Sequence, residues 1–481
     1  MRNRGGSLGR GVIRTGRAAV SLSVENWRLP VGFAPLDEFP ARRRNFAVVG
    51  SGIAGMSAAW LLSKRHDVTV YESGNWIGGH SHTVDVATDR GTVAVDTGFI
   101  VYNEKNYPNL TALFRHLDVP TKDSCMEFGV SLDNGAFEYA GNLPGLVAQP
   151  ACLVRAEYWQ MLRDTLRFYR EAPALSNEAR RMSLGAFLDW RKYSAAFARL
   201  HLLPMGAAIW SSSIEDMRAH PMRAFVRFFE NHGLLKLSGR PQWRTVDGGS
   251  REYVRRLTAA YADRVKTQCG VQTILRDATG VTIVDVRGER HRHDGVIVAA
   301  HADQALGMLG DASEGERDVL GAFKYRPNET VLHSDPALMP KRKRAWASWN
   351  YIGNSEASEN ADLCVTYWMN KLQGIDAKTP LFVTLNPNRM PREETIHGTW
   401  QYAHPIFDTG ALDAQERLWT LQGVNNTWFC GSYFGSGFHE DGLQAGLAAA
   451  EAAGDVRRPW DVADESGRIV LAPPQYRQVA A

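Results

Sequence analysis

Three glycines at the spacing GxGxxG, Gly50, Gly52 and Gly55, carry the clearest chemical signal in the sequence. They follow the apolar segment FAVV and open the segment IAGMSAAWLL, a pattern that predicts a strand, a tight turn and a helix. Gly50 permits the turn, Gly52 lets the backbone approach a phosphate, and Gly55 lets the helix lie close to the strand. A pyrophosphate would then meet the helix N-terminus. The predicted binding turn also contains Ser51, Ile53 and Ala54.

An acidic residue stands where dinucleotide folds recognise a ribose. Glu72 ends the segment VTVYE, a second predicted strand, at about the 20-residue distance expected after the glycines. Its carboxylate can accept hydrogen bonds from the hydroxyls of an adenosine ribose. Because strand, glycine turn, helix, second strand and acid occur in this order, we predict a bound dinucleotide and not a glycine-rich turn without a ligand.

Further small residues favour FAD over a nicotinamide. Gly78 and Gly79 follow Glu72 closely, at a place where NAD-binding dehydrogenases need no second glycine pair. The pair lets another loop approach the dinucleotide, as expected for a cofactor buried along its whole length. In the segment VAVDTGFIVYN, Thr97 and Gly98 follow a predicted strand, and such small and polar groups suit a position against a flavin.

The segment WFCGSYFGSGFHEDGLQAGLAAAEAA, residues 428–453, repeats the order of strand, glycine turn and helix. The helix is predicted to start near Asp441, and its N-terminus could stabilise the negative charge of a reduced flavin. The alternative is a packing helix whose small residues allow close approach. Candidate cofactor residues here are Gly431, Ser432, Asp441, Gly442 and Leu443, and candidate catalytic residues, for shaping the site or transferring a proton, are Phe438 and His439.

Together these segments resemble the flavin-containing amine oxidase superfamily over most of residues 45–455. DTGFIVYN, PMGAAIWSSS, GSGFHEDGLQAG and the stretch from Val331 through AWASWNY look like a bacterial subgroup of predicted NAD/FAD-binding proteins. That subgroup is similar to the flavoprotein half of plant cyclopropane fatty-acid synthases. The resemblance implies that the glycines and Glu72 quoted above contact FAD, as does the helix start near Gly442, and that the backbone at Val271 contacts the adenine.

Two departures from the superfamily pattern concern single polar contacts to the cofactor. Many members have Arg where His80 follows the second glycine pair, and an acidic residue where Ser432 follows Gly431. His80 can still donate a hydrogen bond, and Ser432 can still bond to a ribityl or phosphate oxygen. We therefore expect FAD to bind, with an altered affinity and redox potential.

A chain of 481 residues exceeds the size at which a single core stops growing, which predicts two domains. The expected fold class is α/β, with a Rossmann-like FAD-binding domain of the GR2 type and an inserted α+β substrate domain containing an antiparallel sheet, which the resemblance places over the flavin. The predicted boundaries are a basic, disordered N-terminal extension at residues 1–44, an FAD-binding domain at 45–110, 241–310 and 420–460, a substrate domain at 111–240 and 311–419, and a C-terminal tail at 461–481.

Two aromatic sets are candidates for the walls of a substrate site, with ordinary core packing as the alternative for each. One set belongs to a helix-rich segment and comprises Trp210, Phe225, Phe228, Phe229, Leu234 and Leu235. The other belongs to the predicted antiparallel sheet and comprises Trp346, Trp349, Tyr351, Trp368, Trp400 and Tyr402. Two further candidates have weaker support, Glu440 for proton transfer and Lys324 as the lysine that many amine oxidases place near the flavin.

Several classes of ligand are not indicated by the sequence. The five cysteines are scattered, without a CxxC pair, which suits a reducing cytoplasm, and none lies near QYAHPIFDTG, where some amine oxidases attach flavin, so we expect noncovalent FAD. The histidine pairs HSH and HRH lack the acids or thiols needed for a metal site. No apolar run reaches the ~18 residues that cross a bilayer, and no interleaving of basic and aromatic residues indicates nucleic-acid binding.

Three functions stay open from the sequence. The first is a two-electron, desaturation-type oxidation of an apolar fatty-acyl or lipid substrate by hydride transfer to flavin N5. The second is oxidation of an amine or another small molecule, and the third is a non-catalytic flavin-binding partner of a lipid-modifying methyltransferase. Residues 1–44 hold nine Arg against three acids, and this excess could mark a basic arm that touches anionic lipid, a transit peptide or a misassigned start, with a disordered extension without function as the favoured interpretation. The expected localisation is cytoplasmic, with peripheral membrane contact as an alternative. The oligomeric state and the electron acceptor remain open.

Overall fold

Parallel and antiparallel sheets with helices between them make up the fold, which a computed structural model describes for residues 42–354 and 363–471. The predicted N-terminal extension therefore lies almost wholly outside the described residues, as do residues 472–481 of the predicted C-terminal tail. In chain order the strands are β1 (Asn45–Val49), β2 (Asp67–Tyr71), β3 (Thr83–Thr88), β4 (Gly91–Asp96), β5 (Tyr102–Asn103), β6 (Thr121–Ser124), β7 (Phe128–Leu132), β8 (Phe137–Ala140), β9 (Trp243–Val246), β10 (Val265–Lys266), β11 (Val271–Asp277), β12 (Gly280–Asp285), β13 (Arg290–His293), β14 (Gly295–Val298), β15 (Lys324–His333), β16 (Trp349–Gly353), β17 (Val365–Trp368), β18 (Phe382–Leu385), β19 (Ile396–Ile406) and β20 (Thr427–Phe429).

The helices alternate with these strands and are concentrated between β8 and β9. They are α1 (Ile53–Leu62), α2 (Pro108–His116), α3 (Leu143–Leu146), α4 (Ala156–Leu175), α5 (Leu184–Trp190), α6 (Ala195–Phe197), α7 (Leu203–Trp210), α8 (Ile214–Ala219), α9 (Met222–Asn231), α10 (Arg251–Thr258), α11 (Ala302–Met308), α12 (Glu314–Leu320), α13 (Met369–Gln373), α14 (Thr409–Gln415) and α15 (His439–Gly454). A π-helical turn, Ala198–Leu202, joins α6 to α7.

A five-stranded parallel sheet, in the order β10-β2-β1-β14-β20, positions the glycine turn. Its central strand β1 is apolar, and Phe46, Ala47 and Val48 are fully buried, as expected for a parallel strand covered on both faces. The predicted order of strand, turn, helix and strand over residues 46–72 is confirmed by β1, α1 and β2. The segments VQTILRD, GVTIVDV and DGVIVAA contain β11, β12 and β14, which supports the expected return of residues 241–310 to strand-rich structure.

Close packing leaves room only for glycine at one position of helix α1 and one of helix α15. A Cβ atom at Gly55 of α1 would lie 1.9 Å from the carbonyl oxygen of Gly50 in the glycine turn. One at Gly446 of α15 would lie 2.2 Å from the carbonyl oxygen of Ala54 in α1. Every residue of α1 is buried. The small residues of α15 therefore do serve close packing, the alternative considered for this helix from the sequence.

The second large sheet has seven strands in the order β19-β15-β18-β17-β16-β7-β8. Its pairs are antiparallel except β16 with β7, which run parallel. The antiparallel sheet predicted in the substrate domain is present, and β15 to β18 are consecutive strands of it along the chain. Three further strands, β7, β8 and β19, were not predicted, and two of them come from the segment that precedes the helices. The mixed α/β class with an antiparallel sheet is thus confirmed, while the domain boundaries stay a prediction.

Candidate active site

A cavity of about 960 Å³ lies where the carboxyl ends of the parallel strands meet the seven-stranded sheet. Its volume is at the upper end of the range typical of ligand pockets. Val49, Tyr71 and Gly431, at or just after the ends of strands β1, β2 and β20, line one side. Thr330 of β15 and Trp349 of β16 lie on the other. The position outside the carboxyl ends of parallel strands is the usual one for ligands of open α/β sheets.

Most of the residues predicted for the site line this one cavity, although they come from five separate segments of the chain. They are Gly50, Ser51, Gly52, Ile53, Ala54, Glu72, Gly78, Gly79, His80, Thr97, Gly98, Val271, Gly431, Ser432, Phe438 and His439. Four predicted residues do not line it, namely Gly55, Asp441, Gly442 and Leu443. Gly55 and Gly442 lie in packing contacts instead, since a Cβ atom at Gly442 would stand 3.0 Å from the side chain of Ile53.

The glycine turn leaves room for a ligand at one position only. Gly50 has φ +97°, and a Cβ atom there would lie 2.8 Å from the carbonyl oxygen of Ala299. Gly52, the N-cap of α1, has φ −66°, and no atom would lie within 4 Å of its added Cβ. Its backbone therefore tolerates a side chain, and the space beside it belongs to the cavity. The backbone of Gly79 lies close to Gly52, because a Cβ atom added to Gly79 would lie 3.0 Å from the Cα atom of Gly52.

The Glu72 carboxylate accepts four hydrogen bonds, two of them from the glycine turn. Oε2 accepts from the backbone N–H of Ser51 at 2.9 Å and from its hydroxyl at 2.6 Å. Oε1 accepts from the N–H of Gly74 at 2.7 Å and from the hydroxyl of Ser73 at 3.3 Å. The carboxylate is thus fixed at the wall of the cavity, and a ribose hydroxyl would take the place of one of the two serine hydroxyls. Recognition of the ribose by Glu72 stays a prediction.

The two acids that open α15 have structural partners. Glu440 is fully buried, and its carboxylate accepts from the backbone N–H groups of Asn109 and Leu110, each at 3.0 Å, so it caps the N-terminus of α2. Asp441 accepts from the N–H groups of Ser436 and Phe438 at 3.0 and 2.8 Å and lies 3.2 Å from the guanidinium of Arg468. The buried position of Glu440 outside the cavity lining argues against the proton-transfer role considered for it.

We expect Glu440→Gln to destabilise the fold while leaving the visible spectrum of the protein unchanged. The amide replaces one acceptor by a donor that faces a backbone N–H, and an unsatisfied buried group costs about 1–3 kcal/mol. Urea unfolding measures the loss. The control is Glu314→Gln, because Glu314 is exposed in the first turn of α12 and should change stability by less than about 0.5 kcal/mol. A changed spectrum at unchanged stability would instead assign Glu440 to the cofactor site.

The two candidate catalytic residues differ in their surroundings. Phe438 stacks on Phe228 with ring centroids 4.6 Å apart and lines the cavity, as expected for a residue that shapes a substrate site. His439 stacks on Phe99 at 3.8 Å, and its Nε2 lies 2.7 Å from the hydroxyl of Tyr253. Burial lowers the pKa of His439 to about 3, so the imidazole is neutral at neutral pH. The proton-transfer role of His439 stays a prediction.

A corner of three histidines in the same cavity was not predicted. The rings of His80 and His404 lie 5.3 Å apart, and those of His80 and His301 lie 6.5 Å apart. Burial and the neighbouring histidines hold the pKa of His80 well below its usual value, and burial together with His301 lowers that of His404 to about 4. All three are therefore neutral at neutral pH. No sequence motif joins them, because they come from three distant segments.

Apolar side chains from the helices and from the seven-stranded sheet line the rest of the cavity. Of the aromatic set predicted in the helical segment, Trp210, Phe228 and Leu234 line it, whereas Phe225, Phe229 and Leu235 pack in the core. Of the set predicted in the sheet, Trp349 and Tyr402 line it. The other four were predicted as walls but lie outside the lining, and Trp346 and Trp368 pack edge to face with each other.

Few charges line the cavity. Among the described residues its charged side chains are Glu72, Glu127 and Arg240. Glu127 forms an ion pair with Lys371 at 2.5 Å. Burial alone would raise the pKa of Glu127, but the ammonium group of Lys371 keeps this pKa below its ordinary value. Lys324, a candidate from the sequence, is not in the lining and forms an exposed ion pair with Asp408. The part of the cavity away from Glu72 is therefore mostly apolar.

The shape of the cavity fits an elongated cofactor such as FAD. Its lining runs from the glycine turn, where the space beside Gly52 is open, to the seven-stranded sheet. Six side chains of the lining also carry a buried nitrogen or oxygen atom without a hydrogen-bond partner among the described residues. They are His80 Nε2, Trp210 Nε1, His232 Nε2, Thr330 Oγ1, Trp349 Nε1 and Tyr433 Oη. Such unsatisfied atoms are rare in folded proteins.

One correction concerns the HRH histidine pair. His291 was expected to lack acidic neighbours, but Asp285 and Glu289 lie beside it, with their potential ligand atoms within 4.8 Å of one another. Hydrogen bonds from His291 and from backbone N–H groups hold the pKa of Asp285 at about 2 against the effect of burial. These bonds occupy the Asp285 carboxylate within its own turn, and the expectation of no metal stays a prediction.

The parallel sheet, its glycine turn and the adjoining cavity are the features of a dinucleotide-binding protein, and comparison with known proteins gives the class. The model of the family described as flavin containing amine oxidoreductase matches residues 53–331, more than half of the chain. The chain belongs to this family and is an FAD-dependent oxidoreductase. A comparison with curated protein sequences gave no significant match.

Solved structures of the same fold include enzymes for different substrates. A CLA-producing fatty acid isomerase from P. acnes shares 13% identity at a TM-score of 0.61, with 85% of this chain and 97% of that chain covered. Wild-type putrescine oxidase bound to putrescine shares 14% identity at a TM-score of 0.60, with 85% of this chain and 98% of that chain covered. Cyclohexylamine oxidase from Brevibacterium oxydans shares 16% identity at a TM-score of 0.59, with 86% of this chain and 99% of that chain covered. At these identities the likeness shows the fold alone.

Proposed function

We propose that this protein oxidises an apolar, fatty-acyl or lipid substrate by a desaturation-type, two-electron reaction with noncovalently bound FAD. The observation that carries the proposal is the composition of the cavity away from Glu72. Met205, Ile209, Trp210 and Phe228 line it, and the acid in that region, Glu127, is neutralised by Lys371. Burial of an alkyl chain in such surroundings contributes about 0.8 kcal/mol per methylene group.

The residues of the glycine turn would hold the cofactor. We infer a Rossmann-like, GR2-type dinucleotide site in which the first turn of α1 faces the pyrophosphate and the Glu72 carboxylate accepts from the adenosine ribose. The backbone at Val271 would meet the adenine. Gly78 and Gly79 allow a second loop to approach, and Ser432 supplies a hydroxyl. No cysteine lines the cavity among the described residues, which supports noncovalent binding.

The protein's contribution to the reaction is positioning and exclusion of water. When bound, FAD supplies the acceptor of two electrons, taken as a hydride from a substrate C–H bond at N5. Formation of a carbon–carbon double bond also releases a proton from the neighbouring carbon. A neutral imidazole can take that proton, and His80, which lines the cavity, is our candidate. Phe438, stacked on Phe228, would orient the chain.

Oxidation of an amine or another small molecule is the second candidate. Membership of the amine oxidoreductase family favours this candidate, as does the similarity in fold to putrescine oxidase and cyclohexylamine oxidase. Tyr402 and Phe438 in the lining could form aromatic walls around an amine. However, a cationic substrate would be better served by an unpaired acid in the cavity than by the Glu127–Lys371 pair. The proposal of a lipid substrate is also consistent with the similarity in fold to a fatty acid isomerase.

A third proposal is an accessory role. The resemblance of DTGFIVYN and GSGFHEDGLQAG to the flavoprotein half of plant cyclopropane fatty-acid synthases suggests a lipid-modifying methyltransferase as partner of a cytoplasmic, membrane-peripheral protein. None of the helices in the described residues has the length and apolar character that a bilayer crossing requires. In the accessory role the protein would hold FAD that no substrate reduces.

The deciding experiment is the visible spectrum of the purified protein under anaerobic conditions. We expect addition of bacterial phospholipid acyl chains or free fatty acids, dispersed in detergent, to bleach the flavin absorption, and a panel of amines to leave it unchanged. Phe438→Ala should slow the bleaching, with Phe225→Leu as control because Phe225 lies outside the cavity lining. Bleaching by amines alone would favour the second candidate, and a spectrum that neither group changes would favour the accessory role.

A further inference from the structure

The segment that follows β8 exposes large apolar side chains in an unusual concentration. Within residues 143–159, five such residues are exposed, and Leu143 and Val154 are 83% and 89% accessible. Single exposed apolar residues are common, but a contiguous set marks an interaction site. We call this set the apolar surface, and its members are Leu143, Val147, Leu153, Val154 and Trp159.

Hydrogen bonds hold these residues together as one surface. The hydroxyl of Tyr158, at the start of α4, donates to the carbonyl of Leu146 at the end of α3 at 2.6 Å. The indole N–H of Trp159 donates to the carbonyl of Leu153 at 2.8 Å, so the half-exposed ring lies beside Leu153 and Val154. The apolar side chains are thus displayed on ordered backbone.

Positive charge lies next to the apolar surface. The turn Lys343–Ala345 packs against α3, and it belongs to the run KRKR at residues 341–344. The exposed side chains of Arg155, Lys341, Lys343 and Arg344 form what we call the basic cluster, and none has a carboxylate within 4.0 Å among the described residues. Arg342 does have a partner, since it pairs with Glu138 at 2.8 Å.

We propose that the apolar surface and the basic cluster together dock this protein on an anionic lipid bilayer. Aliphatic and indole side chains beside unpaired Lys and Arg are the combination that lies at a headgroup boundary, where apolar burial and attraction to anionic lipids add. A carboxylate-rich protein partner would match the basic cluster, but it would leave the exposed apolar side chains without a counterpart. The apolar residues therefore favour a bilayer over an acidic protein.

The place of the surface connects it to the cavity. The side chain of Asn142, which caps α3, donates to Glu127 at 2.7 Å, and the N–H of Gly141 donates to the carbonyl of Phe128 at 2.9 Å. Glu127 and Phe128 both line the cavity. A bilayer on the apolar surface would therefore lie beside this wall, a useful position if the substrate is a lipid. This last step rests on the proposed function, whereas the docking itself does not.

Vesicle cosedimentation of the full chain tests the proposal. We expect the protein to bind vesicles of equimolar phosphatidylcholine and phosphatidylglycerol at least about tenfold more tightly than pure phosphatidylcholine, and less tightly in high salt. Val154→Asp should weaken this binding at least about tenfold, and so should Lys343→Glu combined with Arg344→Glu. The controls are Val424→Asp, an exposed valine elsewhere, and Lys378→Glu with Arg389→Glu, two exposed cations outside the cluster.

The outcomes separate this proposal from the proposed function. Absence of vesicle binding, or equal losses in the surface and control variants, would overturn the docking surface even if lipid bleaches the flavin. Vesicle binding that depends on the surface would support it even if no lipid bleaches the flavin. The surface variants should also be bleached by detergent-dispersed fatty acid like the unsubstituted protein, because neither the apolar surface nor the basic cluster lines the cavity.

Discussion

Gly52→Val is expected to abolish retention of FAD during purification without unfolding the protein. The φ angle of Gly52 is −66°, which valine adopts readily, and the space around its added Cβ is open. The folded chain therefore accepts the side chain, which would occupy the volume where the pyrophosphate meets α1. Overpacking costs about 1–3 kcal/mol, which corresponds to roughly 5- to 150-fold weaker binding.

The flavin absorption per mole of protein and the urea midpoint measure the two effects separately. Gly307→Val is the matched control, because Gly307 in α11 also has open space around an added Cβ and does not line the cavity. Gly50→Val and Gly55→Val are poor tests, since valine at either position would strain the fold itself. A Gly52→Val protein with a full complement of flavin would contradict the site assignment.

The second large effect is a loss of stability on mild acidification. Burial lowers the pKa of seven histidines from about 6.5 when unfolded to about 4 or about 3 in the folded protein; they are His201, His220, His232, His293, His333, His404 and His439. Between pH 6.5 and 4 the unfolded chain binds these protons and the folded chain does not. Stability is therefore lost as pH falls through this range.

Three buried carboxyl groups act in the opposite direction. Burial raises the pKa of Asp96 to about 6 and also raises that of Glu440 and Asp441. As the pH falls, these groups therefore bind protons in the folded protein before they do so in the unfolded chain. The seven histidines outnumber these three groups, so on balance unfolding takes up protons in this range, and the free energy of unfolding is expected to fall as the pH is lowered from 6.5 towards 5.

Urea midpoints measured from pH 7.5 down to pH 5 test this expectation. His220→Phe removes one of the buried imidazoles, whose Nε2 has no partner among the described residues, and should reduce the pH slope by about 1.4 kcal/mol per pH unit. Val424→Ala, a control at an exposed position without a titratable group, should leave the slope unchanged. A midpoint independent of pH down to pH 5 would show that these histidines are not buried as neutral groups.

Features that depend on neighbouring residues could be predicted from the sequence. The glycine turn, α1, β2 and Glu72 lie within residues 45–72, so the order of residue types is enough to indicate their geometry. The parallel sheet and four strands of the antiparallel sheet were predicted for the same reason. The hydrogen bonds that Glu72 accepts from Ser51 and Gly74 also belong to this local unit.

Features that join distant segments were decided by the tertiary structure. His80, His301 and His404 meet in one corner although they are more than a hundred residues apart, and Glu440 caps a helix whose residues lie more than 300 positions earlier. Some of the aromatic residues predicted as cavity walls line the cavity and others lie in the core. The difference depends on which elements pack against each residue. By itself the sequence determined a dinucleotide turn, since the order of neighbouring residues sets its backbone geometry, and the resemblance of its motifs to a flavin-dependent superfamily indicated the cofactor. The substrate cavity, its neutral histidines and the exposed apolar surface arise only when separate elements pack together, because contact and solvent exposure are properties of the folded chain.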